Sequence, residues 1–121
     1  MTYNVAREFP NEIIFAEKGP LVSIYLPTHR QLPERRQDIV LFRQLVKDAE
    51  KNMGTEYPPT ECGKISKFLA EIENDKNFWD NTREGLAVLA SPDKCVVYLL
   101  DSKVDALAIA ADSFHIKPLV S

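Results

Sequence analysis

Three short apolar runs crowd the last third of the chain: GLAVLAS at 85–91, CVVYLL at 95–100 and DALAIAA at 105–111. Each has the length of a strand and is too short for an ordinary helix. None alternates apolar with polar residues, so a sheet built from them must be covered on both faces. The links are Ser91-Pro92-Asp93-Lys94 and Asp101-Ser102-Lys103. Connections this short join antiparallel neighbours, so the runs are expected to form a meander. In the third run Ala106, Ala108 and Ala110 make a small-residue face that a helix can approach closely, while Leu107 and Ile109 fill the other face.

The elements upstream supply the cover. Residues 10–17 read as a short helix that begins at Pro10 and stops at Gly19-Pro20. Residues 21–26, LVSIYL, read as a strand stopped by Pro27. From Pro33, residues 34–53 place Ile39, Phe42, Val46, Ala49 and Met53 at helical spacing, widened by Leu41 and Leu45, with Gly54 just past the end. After Pro58-Pro59, Thr60 is the expected N-cap of a helix that buries Cys62, Ile65, Phe68, Leu69 and Ile72 and fades over 73–77. The expected fold is an α/β domain: a four-stranded mixed sheet in β-α-α-β-β-β order, with an antiparallel C-terminal meander and helices packed on it. Strand 21–26 would join parallel to a meander strand through the two-helix crossover.

The totals fit one domain over 1–121. The composition is 45% hydrophobic and 27% charged, ordinary for a packed protein and unlike a disordered one. No apolar run reaches the ~20 residues that span a bilayer, and the first residues lack a signal peptide's apolar core. A cytoplasmic domain without membrane contact is expected. Cys62 and Cys95 fit two reduced, buried thiols better than a disulfide framework. With His29 and His115 as the only histidines, neither metal nor cofactor is expected. FHIKPLV runs strand-like into the last residue, which points to the first domain of a longer protein.

Chemistry has few places to reside. Pro27-Thr28-His29-Arg30 follows the first strand, where α/β folds commonly place ligands. Hydroxyl, imidazole and guanidinium in a row bind phosphate or carboxylate. The structural alternative is a capped turn with Arg30 paired to Glu34. On the long helix Arg36, Arg43 and Lys47 fall within about 40° of one another. With Arg30 and Arg35 they form a local basic patch, although residues 30–51 also carry four acids against six Lys and Arg. The net charge of −3 means that any RNA contact must come from such a patch. Phe78-Trp79 is either a core anchor or a base-stacking platform, and the core reading fits better. His115 fits packing. There is no P-loop, dinucleotide fingerprint or evident nucleophile–base–acid set.

Four segments together resemble one family: PLVSIYLPTHR at 20–30, IVLFRQLVKDAEKNM at 39–53, FWDNTREGLAVLAS at 78–91 and DSFHIKPLV at 112–120. They are similar to the amino-terminal domain of the bacterial relatives of the archaeo-eukaryotic class-one peptide release factor. The resemblance covers about residues 20 to 120. It implies a three-domain protein whose second domain carries the peptidyl-tRNA hydrolysis loop and whose first binds the ribosome or another RNA surface. The chain lacks that Gly-Gly-Gln and lacks the Asn-Ile-Lys-Ser codon reader; the segment between the two long helices reads NMGTEYPPTE.

The expected function is therefore a non-catalytic domain that binds ribosome or structured RNA, in termination or stalled-ribosome rescue. Thr28, His29, Arg30, Arg35, Arg36, Arg43 and Lys47 are its expected phosphate contacts, with downstream domains of the same protein as further partners. The alternatives are a protein–protein interaction module and a small enzyme using His29. A deep pocket with a carboxylate within reach of His29 would favour the enzyme.

Overall fold

The computed structural model describes residues 3–6 and 19–120. The expected helix at 10–17 lies outside them. Five strands form one mixed sheet: β1 (Asn4–Ala6), β2 (Leu21–Pro27), β3 (Gly85–Ala90), β4 (Cys95–Leu100) and β5 (Leu107–Ala111). Four helices accompany it: α1 (Glu34–Gly54), α2 (Pro59–Glu73), α3 (Lys76–Trp79) and α4 (Lys117–Val120). No described helix is long and apolar enough to cross a membrane.

Strand order is β1-β4-β3-β2-β5. All four expected strands lie in this sheet, but the topology differs from the expected one in three respects. A fifth strand, β1, joins the edge parallel to β4. Strand β2 runs antiparallel to both its neighbours, β3 and β5, instead of parallel to a meander strand. The meander stops after the β3–β4 hairpin, because β5 pairs with β2 on the far side. The link through residues 101–106 thus passes the ends of β3 and β2. At ~3.3 Å per residue it has ample reach for three strand spacings of ~4.8 Å. A short link does not force adjacency once it can run along the end of the sheet.

That crossing is tight. A Cβ on Gly85 would lie 2.5 Å from the carbonyl oxygen of Ser102 and 3.2 Å from Leu100 Cβ. Side chains clamp it: Lys103 Nζ donates to the Thr28 carbonyl and lies 3.7 Å from Glu84, and Arg83 reaches Asp101 at 2.7 Å.

Both sheet faces are buried. On one, Val22, Ile24, Leu26, Leu86, Val88 and Val97 meet Phe42, Val46, Ala49 and Met53 of α1 and Ile65, Leu69 and Ile72 of α2. Ala108 and Ala110 pack on this same core, so the small-residue face of β5 serves as expected. Ala106 precedes the strand and is exposed. On the other face Phe114 joins Tyr25, Leu89, Val96 and Tyr98, with Ile116 and Leu119 packed against them.

Phe78 and Trp79 are core residues. Trp79 sits edge-on to Phe42 with ring centroids 5.3 Å apart, and its indole N–H donates to the Ile72 carbonyl at 2.9 Å. Two expected caps shift. Thr60 is inside α2, which starts at Pro59 with Pro58 as N-cap; proline's preset φ and missing N–H suit those positions. Gly54 is the last residue of α1 rather than a left-handed stop, and Gly19 alone among the described residues takes positive φ, +91°.

Cys62 and Cys95 are both free, but Cys62 is half-buried where full burial was expected. It lies at the start of α2, facing the α1–α2 link, with Sγ 3.7 Å from the carbonyls of Met53 and Tyr57. Burial pushes the Cys95 thiol up to about 12, and the nearby Glu71 carboxylate adds to the shift.

Two outcomes are expected. Gly85→Ala destabilises the fold by about 1–3 kcal/mol, because backbone rather than a flexible side-chain tip must give way; a lowered urea midpoint at unchanged m-value checks it. Alkylation of the native protein at pH 8 modifies Cys62 first, while Cys95 reacts only on unfolding, as peptide mapping over time will report. Equal early labelling of Cys95 would contradict its place in the sheet.

Candidate nucleic-acid interface

Three loops meet at one end of the sheet, after β2, before β3 and after β4. Thr28 extends the β2–β3 ladder by one bond, its N–H donating to the Glu84 carbonyl at 3.1 Å. Its hydroxyl donates to the Arg83 carbonyl at 2.8 Å and the residue is fully buried. Thr28 is thereby a stitch between loops and not a surface phosphate contact; the expectation for it is corrected.

His29 is held by a carboxylate on α1. The backbone N–H of His29 donates to Asp38 Oδ2 at 2.7 Å, and ring Nδ1 lies 2.8 Å from Asp38 Oδ1. The Asp38 side chain is 3% exposed and that of His29 is 41% exposed. Asp38 sits four residues before Phe42 and seven before Leu45, in phase with the buried stripe of α1. A carboxylate there loses its water, and these two bonds replace it. Ring Nε2 has no hydrogen-bond partner among the described residues.

Arg30 is exposed and forms no ion pair among the described residues, so the expected pairing with Glu34 does not occur. Its carbonyl instead accepts from Arg35 Nη1 at 3.3 Å. Arg35 also reaches Asp80, 3.5 Å from both its carbonyl and its carboxylate, and so bridges the loop after β2 to the end of α3.

The cations of α1 open onto a groove. Leu32, Arg35, Arg36, Ile39 and Arg43 form one wall, and Glu73, Asn74, Lys76, Trp79 and Asp80 the other. A second hollow continues past Arg43 and Glu73 to Lys47, Glu50 and Ser66. Arg43 pairs with Glu73 through Nε at 3.0 Å, with its side chain 55% exposed. Such exposed pairs contribute only ~0–1 kcal/mol, so a phosphate can compete for the arginine. Arg36, Lys47 and Lys76 form no ion pair among the described residues. Of the seven expected contacts, Arg35, Arg36, Arg43 and Lys47 thus line one continuous track, Arg30 and His29 lie on the loop at its end, and Thr28 is buried behind it.

Sequence reading missed four participants. Lys76 lies in the polar stretch where α2 ends, with no periodicity to assign it a face. Glu73 and Asp80 approach from other elements, which spacing along α1 cannot reveal. Asp38 did carry a signal, as an acid in phase with a buried stripe. Among the described residues no group of three or more His, Cys, Asp or Glu is placed to hold a metal.

Asp38→Ala is expected to cost about 1–3 kcal/mol, since it leaves the His29 N–H without its acceptor in a half-buried loop. His29→Ala keeps that backbone bond and should cost less. Paired denaturation curves check the order; the reverse order would show that the ring contact, not the backbone bond, holds the loop.

No family model matches this sequence, and no curated protein is significantly similar to it.

Proposed function

We propose that this domain binds RNA, on the ribosome or in another structured RNA, through the groove between α1 and the α2–α3 segment, without catalysing a reaction itself. One observation carries the reading: Arg35, Arg36, Arg43 and Lys76, from two separate elements, line a single groove against only Glu73 and Asp80. In a chain of net charge −3 this is a local excess of positive charge. The four-segment resemblance to the amino-terminal domain of the release-factor relatives supports the same reading and suggests termination or rescue as its setting.

The expected binding is weak, salt-sensitive and tolerant of sequence, because phosphate contacts supply affinity without reading bases. With about three to five phosphates neutralised, affinity should drop by about one to three tenfold steps between 50 and 200 mM salt. Charge reversal of Arg36, Arg43 and Lys47 together should abolish it with the circular dichroism spectrum unchanged, as these side chains are exposed. A salt series on wild type and triple variant, with ribosomes and with a structured RNA, measures this. Equal binding by both proteins, or none by either, would favour the protein–protein interaction module.

A second reading, acid–base chemistry at His29, draws on the Asp38 contact, in which a buried carboxylate orients a half-exposed imidazole. Among the described residues no nucleophile bonds the ring, and Asp38 is also engaged by the backbone. Hydrolysis of an activated ester that disappears in both His29→Ala and Asp38→Asn would support this reading; equal rates in all three proteins would sink it.

A further inference from the structure

The outer face of α1 is not purely basic. Positions 36, 40, 43 and 47 lie within about 60° on a helix of 3.6 residues per turn. They hold Arg36, Val40, Arg43 and Lys47, so an aliphatic residue sits among three cations. Val40 is 58% exposed, and Leu32, just before the helix and on the wall of the groove, is 52% exposed. Only Val5 joins these two as an exposed large apolar side chain among the described residues. An exposed aliphatic residue on an ion-paired helix face gains nothing from water; here two of the three border the same cationic track.

We propose that this face takes an unpaired stretch of RNA in preference to a duplex. The inference rests on the RNA-binding reading and names the form of RNA. A duplex shows phosphates and sugar hydroxyls on its outside, with its base faces stacked inside, so it offers nothing apolar to Val40 or Leu32. An unpaired stretch offers both phosphates and base faces. The cations run about 16 Å along the helix from Arg36 to Lys47, a compact track that suits a few nucleotides, whereas double-stranded readers span two successive grooves. Arg43 is suitably oriented. Its Nε is taken by Glu73, while both Nη groups carry no hydrogen bond among the described residues and are available to grip a phosphate or lie flat on a base. Within a structured RNA, the matching element is a loop or bulge.

The test uses the whole chain, with a short oligouridine and a blunt RNA duplex of equal length as labelled probes. Fluorescence anisotropy at low salt should give tighter binding to the single strand than to the duplex. Leu32→Ser and Val40→Ser should each weaken single-strand binding by about three- to tenfold while leaving its salt slope unchanged, because they remove apolar contact and no charge. Arg36→Ala should flatten the slope. Equal or tighter duplex binding, or serine variants indistinguishable from wild type, overturns the preference for unpaired RNA and leaves the RNA-binding reading standing. Binding of neither probe overturns both, as does an acidic amphipathic peptide that binds this face where RNA does not.

Discussion

Strand β2 is hydrogen-bonded on both edges and buried on both faces, and the rest of the molecule is arranged around it. Six of its seven residues, Leu21–Leu26, are buried, including Ser23, whose hydroxyl accepts from the His115 N–H. A strand so placed leaves no edge for β4, which lies beyond β3. The chain leaving β4 must therefore travel across the end of the sheet to reach the free side of β2. This single topological demand explains the glycine at 85, where Ser102 passes. It also explains why Lys103 ends beside the carbonyl of Thr28. The start of the loop that follows β2 is consequently tied to a segment far from it in sequence.

The same demand shows where sequence reading ran out. The four apolar runs were legible as strands because each is short, apolar on both faces and bounded by turn residues. Their pairing was not, because a six-residue link satisfies either a hairpin or a passage across two strand ends, and nothing in Asp101–Ala106 distinguishes them. The small-residue face of β5 was read correctly as a helix-packing surface, yet that property serves equally well at either edge of the sheet. β1 went unread altogether: three residues carry too little pattern, and its pairing to β4 is parallel and remote.

The candidate interface divides along similar lines. Periodicity placed Arg36, Arg43 and Lys47 on one helix face, and it is this face that opens on the groove. It could not supply the opposite wall, since Glu73, Lys76 and Asp80 belong to a stretch without periodicity. Thr28 was misread for a definite reason. A polar residue after a strand is ordinarily taken as exposed, but the ladder continues through it and its hydroxyl substitutes for the lost solvent at Arg83. Asp38 marks the opposite case. Its phase on α1 required a buried partner, which the backbone N–H and ring of His29 supply.

Electrostatic compensation then sets what the groove can do. Each acid that enters it approaches a guanidinium: Glu73 at Arg43 and Asp80 at Arg35. The Arg43 pair is exposed on the arginine side and therefore weak, whereas Arg35 is largely covered and its contact with Asp80 chiefly fixes the loop after β2. Lys76 and Arg36 remain as uncompensated charge on opposite walls. On the RNA-binding proposal, a phosphate chain entering between them would meet these two cations, unpaired among the described residues, first and then compete with Glu73 for Arg43. The groove thus combines two unpaired cations on opposite walls with two arginines already oriented by carboxylates.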